Sequence, residues 1–294
     1  MTLRAAIQAG TTVLSAAGVE SPALNAEELV ASTVGRRRLQ VLLQLDETLD
    51  AGQINRLESL IERRARREPL QHMLGTVAFL EHEMRVTPDV LIPRPETECL
   101  AREALQLLDR TYVPHPIVLD FGTGSGCLAI SIASGFRGSL VHALDISSPA
   151  LEVARGNAER NGVADRVRFH QGDGFAALHD VATPGHSLLQ FNLIVSNPPY
   201  VPSAEISSLD PEVRNYDPRA ALDGGPDGLK FYRLLSTEAP GWLKPGGWLA
   251  MEFGDGQTYD LTAIFTVNNW TELRVEKDLS GRDRILIVRL PGGS

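Results

Sequence analysis

Residues 197–200 read Asn-Pro-Pro-Tyr and directly follow the apolar run Phe191–Ser196. The nitrogen of an amide or aryl amine is a poor nucleophile because its lone pair is delocalised, so it must be held in line with the group that it attacks. The Asn197 side-chain oxygen and the Pro198 carbonyl can each accept one hydrogen of an NH₂ group, and the prolines stiffen the loop. The motif predicts a nitrogen-alkylating site, although a rigid turn alone would also use these residues. The predicted catalytic residues are Asn197, Pro198 and Tyr200, and Pro199 joins them in the predicted substrate-binding set.

A glycine-rich loop earlier in the chain could hold the electrophile. Residues 120–126 read Asp-Phe-Gly-Thr-Gly-Ser-Gly and close the apolar run Ile117–Phe121. A dinucleotide site would need glycine at position 127, which is Cys127. The G-x-G-x-G spacing instead favours a nucleoside sulfonium, and a tight structural turn is the alternative. We predict S-adenosylmethionine as cofactor and S-adenosylhomocysteine as product, with cofactor contacts from Gly122, Thr123, Gly124, Ser125 and Gly126.

Two carboxylates follow the next two predicted strands. Asp145 ends the run Leu140–Asp145, where it could accept hydrogen bonds from the two hydroxyls of a ribose. Asp173, with Gly174 beside it, follows Val167–Gln171 and could accept from an adenine amino group. Alone, either aspartate could be a helix cap or a turn residue. Together with the glycine loop they would lie at the carboxyl edge of one sheet, where open α/β sheets bind ligands.

Strands and helices alternate from residue 98 onward, which predicts an α/β fold with a mostly parallel sheet and helices on both faces. The expected architecture is a seven-stranded Rossmann-like methyltransferase sheet. Its predicted helices are residues 127–134, 148–160 and 228–239. Its predicted strands are Ile117–Phe121, Leu140–Asp145, Val167–Gln171, Phe191–Ser196, and residues 248–253, 273–275 and 285–290.

The first part of the chain has helical periodicity. Ser21-Pro22 predicts the capped start of a second helix that ends at Gly35, and a third helix is expected from about Asp50. Short apolar runs between residues 75 and 95 predict a hairpin. The predicted domains are a small N-terminal helical substrate-recognition domain (1–74), a β-hairpin linker (75–97) and a methyltransferase domain (98–294). The basic cluster Arg63, Arg64, Arg66 and Arg67 is either a solvated helix end or a docking surface for an acidic partner or RNA.

Composition narrows the classes of function. The chain has 294 residues and a formal net charge of -9, which argues against direct DNA binding. Its two cysteines, Cys99 and Cys127, have no metal-ligand spacing, so no metal is expected. No apolar run approaches the roughly 20 residues that cross a bilayer, and the N-terminus is a poor signal peptide. These features predict a cytoplasmic protein without membrane contact.

The motifs together resemble the release-factor glutamine N5-methyltransferases, the HemK/PrmC family of class I S-adenosylmethionine-dependent methyltransferases. The resemblance is carried by residues 122–126 and 197–200, by Leu-Ile-Pro-Arg-Pro-Glu-Thr-Glu at 91–98, by Leu-Ser-Gly-Arg-Asp-Arg at 279–284 and by Arg-Glu-Pro-Leu at 67–70. It implies methylation of the glutamine in the Gly-Gly-Gln motif of class I peptide chain release factors.

The resemblance also implies roles for individual residues. The cofactor contacts would be residues 122–126, Asp145 and Asn197, and residues 197–200 would bind the glutamine. The N-terminal domain would help to grip the release factor. The family often has a large aromatic residue where this chain has Gly174, and Phe175 is expected to compensate.

Three points stay open at this stage. Arg94 and Glu96 could line the substrate groove or could form an ion pair that fixes the hinge between domains. A glutamine N5-methyltransferase of a ribosomal protein would share the same motifs, as would a DNA adenine N6-methyltransferase, although the latter would need a basic groove. A non-catalytic cofactor-binding scaffold is a further alternative.

Overall fold

The computed structural model describes residues 1–181 and 189–292. Residues 182–188 and 293–294, which fall in the predicted methyltransferase domain, lie outside the described residues. The chain divides into two compact units. One comprises Met1–Thr76 with Asp210–Tyr216, and the other comprises Val77–Leu209 with Asp217–Ser294.

The first unit is helical, as its periodicity predicts. Its apolar core joins Leu3 and Leu14 of the first helix to Leu29 of the second and Ile61 of the fourth. The sequence missed two short helices, the third and the fifth, because five residues give too little periodicity to detect. The helices are α1 (Leu3–Ala16), α2 (Pro22–Val34), α3 (Arg38–Leu42), α4 (Ala51–Ala65) and α5 (Leu70–Leu74).

Helix capping follows the sequence at one site and departs from it at another. The Asp50 side chain accepts a hydrogen bond from the Gln53 N–H at 2.8 Å and caps α4. Helix α2 begins at Pro22 directly after Ser21, as predicted, but the Ser21 side chain makes no capping hydrogen bond. Its backbone is left-handed (φ 49°), whereas a capping side chain normally extends from an extended backbone.

A segment from much later in the chain, Asp210–Tyr216, also belongs to the helical unit. Glu212, on a short helix at Pro211–Tyr216, accepts hydrogen bonds from Arg64 at 2.9 Å and Arg67 at 2.6 Å. Burial opposes the charge on Glu212, but the two guanidinium groups hold its pKa below the usual value. Arg63 pairs with Glu68, so only Arg66 of the basic cluster remains largely solvated. The cluster is therefore mostly neutralised inside its own unit, which neither interpretation of the sequence anticipated.

The second unit begins with a hairpin and continues as an alternating α/β array. The hairpin strands are β1 (Thr76–Phe79) and β2 (His82–Arg85), and the apolar residues from 86 to 92 form no strand. The helices of this array are α6 (Pro95–Thr111), α7 (Cys127–Gly135), α8 (Ser148–Arg160), α10 (Lys230–Glu238) and α11 (Thr258–Val267), with α9 denoting Pro211–Tyr216 of the first unit. The strands are β3 (Ile117–Phe121), β4 (Leu140–Asp145), β5 (Val167–Gln171), β6 (Phe191–Ser196), β7 (Leu243–Glu252), β8 (Thr271–Lys277) and β9 (Asp283–Arg289).

The sheet has the predicted seven strands, in the order β5-β4-β3-β6-β7-β9-β8. Strands β3 to β7 pair in parallel, whereas β9 is antiparallel to both β7 and β8. The chain moves outward from β3 to β5 and then returns to the other side of β3 with β6. The strand order therefore reverses between β3 and β6, and open α/β sheets bind ligands at such a point.

Helices cover both faces of the sheet because neighbouring strand residues point in opposite directions. Val118 and Leu193 belong to a core cluster that includes residues of α6, α7 and α8. Their neighbours Leu119 and Ile194 belong to a second cluster that includes residues of α10 and α11. None of the helices in residues 1–181 and 189–292 has the length and the apolar composition of a membrane-spanning segment.

Candidate active site

The loops that follow four parallel strands line one cavity. Residues 122–125 follow β3, Asp145 ends β4, residues 172–174 follow β5, and residues 197–199 follow β6. All belong to the second unit, and all lie at the carboxyl edge of the sheet. The topology therefore brings together the loops whose motifs the sequence singled out.

A buried hydrogen bond ties the two central loops to each other. The Ser196 hydroxyl, fully buried at the end of β6, donates to the Phe121 carbonyl at the end of β3 at 2.7 Å. The backbone pairing of Asp120 with Val195 supports the same alignment. Since Gly122 and Asn197 are the next residues along the two strands, the glycine loop and the Asn-Pro-Pro-Tyr loop start side by side.

Left-handed backbone conformations shape the glycine loop. Gly122, Gly124 and Gly126 have φ values of 78°, 54° and 83°, a region that residues with a Cβ rarely adopt. A Cβ on Gly126 would lie 3.1 Å from the Ala154 Cβ on α8, so this glycine also permits close packing. Cβ atoms on Gly122 and Gly124 would meet no protein atom within 4 Å. These two positions therefore leave open space beside the backbone.

Asp120, at the end of β3, anchors the glycine loop, a role that was not predicted from the sequence. Its carboxylate is fully buried and accepts from the Thr123 hydroxyl at 2.6 Å and from the Ala129 N–H at 3.1 Å. Burial raises the pKa of Asp120 to about 7, although these two hydrogen bonds oppose the shift. Asp120 thereby connects the end of β3 to the loop and to the first turn of α7.

Asp145 bonds to two backbone segments. One carboxylate oxygen accepts from the Gly124 N–H at 2.8 Å and the other from the Ser147 N–H at 2.9 Å. Ser147 caps α8, since its hydroxyl accepts from the Ala150 N–H. Asp145 also lines the cavity, beside Ile146, whose side chain is 60% exposed. A ribose-binding role for Asp145 stays a prediction, and each oxygen retains a lone pair for it.

The loop after β5 contributes backbone and one exposed carboxylate to the cavity. Asp173 and Gly174 both line it, and Gly174 has a left-handed backbone (φ 61°). The expected compensation by Phe175 does not occur, because that ring does not line the cavity. Phe175 is 2% exposed and packs against Phe121 and Trp242 in the core. Phe175 therefore supplies no aromatic wall to the cavity, whose lining includes the apolar side chain of Ile146.

The Asn-Pro-Pro-Tyr loop divides between the cavity and the core. Asn197, Pro198 and Pro199 line the cavity. Tyr200 is not among the lining residues, and its ring packs against the apolar cluster of the second sheet face. Burial raises the pKa of Tyr200 to about 12, and its carbonyl accepts from the Gln257 side chain. The catalytic role of Tyr200 stays a prediction, and in this structure the tyrosine anchors the loop.

Arg94 and Glu96, whose roles the sequence did not decide, have different positions in the structure. Arg94 lines the cavity and donates to the buried Asp217 carboxylate at 2.6 Å. Burial raises the pKa of Asp217 to about 6, and the Arg94 charge opposes the shift. Glu96 does not line the cavity. The Arg94–Glu96 ion pair is therefore wrong as a prediction, because Asp217, 123 residues further along the chain, takes the arginine.

The relatives of this chain were identified by comparison with known proteins. Residues 5–75 match a family model described as the PrmC N-terminal domain, and residues 100–197 match one described as ribosomal protein L11 methyltransferase (PrmA). A protein of Geobacter sulfurreducens named release factor glutamine methyltransferase is 41% identical over 94% of this chain and 93% of its own length. The chain belongs to the release factor glutamine methyltransferase family.

Other members of the family match over an equal or greater length. The release factor glutamine methyltransferases of Moorella thermoacetica and Deinococcus radiodurans are each 40% identical. The first match covers 98% of both chains and the second covers 100% of both. The family resemblance of the sequence motifs is thus confirmed over both units.

Solved structures support the methyltransferase fold. A methyltransferase from Pyrococcus furiosus is 20% identical and covers 78% of this chain and 98% of its own, with a TM-score of 0.51. The N-terminal domain of human METTL16 in complex with SAH is 13% identical and covers 70% of this chain and 75% of its own, also with a TM-score of 0.51. At these identities the likeness concerns the fold alone.

Thr97, on the cavity wall, and Glu252, buried behind it, are two polar residues that the sequence did not predict. Thr97, on the first turn of α6, lines the cavity and bonds to Asn197 and Glu252. Thr97 belongs to the segment 91–98, which carries the family resemblance and from which only Arg94 and Glu96 were predicted to have a role. Glu252 ends β7 and is 1% exposed. The sequence feature that could have pointed to it is a carboxylate at the end of a predicted buried strand, because a buried charge needs a partner.

Proposed function

We propose that this protein transfers a methyl group from S-adenosylmethionine to the side-chain amide nitrogen of the glutamine in the Gly-Gly-Gln motif of a class I peptide chain release factor. The observation that carries the proposal is the shared cavity of the glycine loop and Asn197. Family membership supports the protein substrate. The ribosomal-protein alternative has less support, since the relatives that match over both units carry the release factor name.

The residues of the cavity fit the cofactor. Gly122 and Gly124 leave open space beside the loop backbone, as close approach of a ligand requires. The Asp145 carboxylate suits a pair of ribose hydroxyls, and the exposed Ile146 side chain offers an apolar surface to a flat base. Bound there, S-adenosylmethionine would supply an electrophilic methyl group. Asp173 is proposed to accept from the adenine amino group, and Thr123, Ser125 and Gly174 complete the proposed contacts from the cavity wall. Gly126 does not line the cavity, and its contact with the cofactor stays a prediction.

The loop after β6 is proposed to orient the glutamine. The Asn197 side-chain oxygen and the Pro198 carbonyl would each accept one N–H of the substrate amide. Two preorganised acceptors hold the nitrogen in one direction and stabilise the positive charge that develops on it. No strong base is needed before attack, because the alkylated nitrogen becomes acidic and loses its proton to water. Pro199 and Arg94, on the wall of the same cavity, are proposed to contact the substrate backbone.

Labelled methyl transfer tests the proposal. The purified protein would be incubated with methyl-labelled S-adenosylmethionine and a release factor, and peptide mass spectrometry would locate the label. We expect it on the glutamine of Gly-Gly-Gln and none on a release factor in which that glutamine is glutamate. Label on a ribosomal protein or on DNA would favour the corresponding alternative, and no transfer to any of the three would contradict the proposal.

Asn197→Ala adds a test of the site itself. Loss of one preorganised polar group should lower kcat on the order of 10²–10³-fold. The affinity for S-adenosylhomocysteine should change little, because the glycine loop and Asp145 remain. Asn161→Ala is a control, since this half-buried asparagine bonds only to backbone carbonyls of the described residues. Equal activity of the two variants would exclude Asn197 from the site.

We also propose that the helical unit, predicted as residues 1–74, recognises the release factor. Deleting it would remove the partners of Glu212 on α9 and so disturb the chain between Asn197 and Asp217. Substitution of exposed residues tests recognition without this disturbance. Leu39 and Leu43 are 69% and 78% exposed, and the double variant Leu39→Ser, Leu43→Ser should raise the KM for the release factor several-fold at unchanged kcat. An unchanged KM would remove these leucines from the recognition surface.

A further inference from the structure

A chain of hydrogen bonds leads from the cavity into the protein interior. Asn197 Nδ2 donates to Thr97 Oγ1 at 3.0 Å, and Thr97 Oγ1 donates to Glu252 Oε2 at 2.7 Å. Thr97 and Asn197 line the cavity, whereas Glu252 does not. Thr97 is 2% exposed and Glu252 is 1% exposed, so water cannot readily replace either bond.

The donor and acceptor chemistry gives this chain a direction. An ionised carboxylate only accepts hydrogen bonds, and a hydroxyl has one hydrogen to donate. While Glu252 is ionised, the Thr97 hydrogen is therefore committed to Glu252, and the Thr97 oxygen can only accept from its other partner. That partner is the Asn197 amide, which must present its NH₂ group to Thr97. The Asn197 oxygen is then directed away from Thr97 and is free to accept.

The opposite amide orientation would defeat the proposed chemistry. If the Asn197 oxygen faced Thr97, its NH₂ group would face the NH₂ group of the glutamine, and two donors would meet without an acceptor. An asparagine amide has little intrinsic preference between its two orientations, so its hydrogen-bond partners decide. We propose that Thr97 and Glu252 are positioning residues that orient the Asn197 amide so that its oxygen accepts from the substrate nitrogen. This inference rests on the function proposed above.

The surroundings of Glu252 hold in place the hydrogen-bond relay that Asn197, Thr97 and Glu252 form. The Tyr232 hydroxyl, from α10, donates to the Glu252 carbonyl at 2.9 Å. Arg284 donates to the neighbouring Phe253 carbonyl at 2.8 Å. Five titratable or charged groups act on the carboxylate from the elements packed around it: Arg284 on β9, Arg94 and Glu96 at the start of α6, Tyr200 after β6, and Tyr232 on α10.

Protonation of Glu252 would remove the direction of the relay. Burial raises the pKa of Glu252 to about 7, while the Thr97 hydrogen bond and the Arg284 charge oppose the shift. A protonated Glu252 can donate to Thr97, which frees the Thr97 hydrogen for the Asn197 oxygen and permits the unproductive orientation. We therefore expect kcat to fall as the pH drops through about 7, and this acid limb should be absent in Glu252→Gln.

Substitution of Thr97 tests the inference in the full-length enzyme. Thr97→Val keeps the shape and removes the hydroxyl, so kcat should fall on the order of tenfold or more. Thr97→Ser restores the hydroxyl and should recover kcat to within about threefold of wild type. The affinity for S-adenosylhomocysteine, measured by calorimetry, should stay within about twofold in both. Thr262→Val is the matched control, because its hydroxyl donates to the Thr258 carbonyl of its own helix.

A second readout is independent of turnover. The side-chain NH₂ signal of Asn197, assigned by its loss in Asn197→Asp, should exchange with solvent at least several-fold faster in Thr97→Val than in wild type or Thr97→Ser. Unchanged kcat and exchange in Thr97→Val would overturn the proposal, as would equal losses in the valine and serine variants. A wild-type enzyme that methylates no release factor would refute the proposed function, and the exchange measurement would still test the relay.

Discussion

Substituting Gly124 with alanine should separate the binding role of the glycine loop from its structural role. Gly124 lines the cavity and has a left-handed backbone (φ 54°), and a Cβ there would meet no protein atom within 4 Å. The alanine therefore costs only its backbone strain, roughly 1–2 kcal/mol of folding free energy. Its Cβ occupies space that the cofactor is proposed to fill. We expect the Kd for S-adenosylhomocysteine to rise about tenfold or more, which is at least about 1.4 kcal/mol.

Gly35→Ala and Gly126→Ala serve as comparison variants for Gly124→Ala. Gly35 ends α2 with φ 66°, and a Cβ there also meets no atom within 4 Å, so Gly35→Ala carries the same strain away from the cavity. Gly126→Ala adds contacts of 3.1 Å to Ala154 and 3.2 Å to Ile130, so it should cost about 1–3 kcal/mol more. Calorimetric unfolding should therefore give similar Tm values for the Gly35 and Gly124 variants and a lower one for Gly126→Ala.

Titration calorimetry with S-adenosylhomocysteine completes the comparison. Gly35→Ala should bind the product like the wild type, whereas Gly124→Ala should bind it weakly at nearly the same Tm. If Gly124→Ala bound with wild-type affinity, the space beside the loop would not be the cofactor site. If Gly35→Ala lost affinity equally, the effect would be general destabilisation, and the reasoning from the Cβ positions would fail.

Three further predictions concern stability and alignment. Glu212→Ala leaves the buried Arg64 without its carboxylate, so unfolding free energy should fall by about 3 kcal/mol, and an unchanged Tm would show that the pair contributes nothing. Ser196→Ala removes the bond to the Phe121 carbonyl, which should cost about 1–2 kcal/mol and lower kcat, unlike a purely structural loss in which kcat is kept. Burial lowers the pKa of His142 to about 4, so its neutral form is favoured in the folded state, and the contribution of His142 to stability is full above pH 6.5. As the pH falls from 6.5 towards 4, about 3 kcal/mol of that contribution should be lost, so the pH profiles of wild type and His142→Gln should differ by this amount, and identical profiles would contradict the assignment.

The sequence predicted the sheet well because its signals are local. Four strand boundaries, from Ile117–Phe121 to Phe191–Ser196, agree with the structure, since each strand ends in a loop of distinctive residues. Strand β7 extends five residues further toward the N-terminus than predicted. Its first residues, Leu243 to Gly247, include Pro245 and two glycines, which local propensity assigns to a turn.

The partners of the charged and polar side chains could not be predicted. Arg94 pairs with Asp217 and Thr97 with Glu252 over separations of 123 and 155 residues. Such pairs depend on the order of strands in the sheet, which hydrophobic periodicity does not encode. The same limit explains Tyr200, whose motif suggested a place in the cavity but whose ring packs against the core.

The central claim is that one cavity brings a sulfonium methyl group to a glutamine amide held by Asn197. A crystal structure of the enzyme with S-adenosylhomocysteine and a Gly-Gly-Gln peptide measures this directly. We predict the product along residues 122–126 with its sulfur facing the loop after β6, and the glutamine NH₂ within hydrogen-bonding distance of the Asn197 oxygen and the Pro198 carbonyl. A product bound elsewhere, or a glutamine that contacts neither acceptor, would contradict the account.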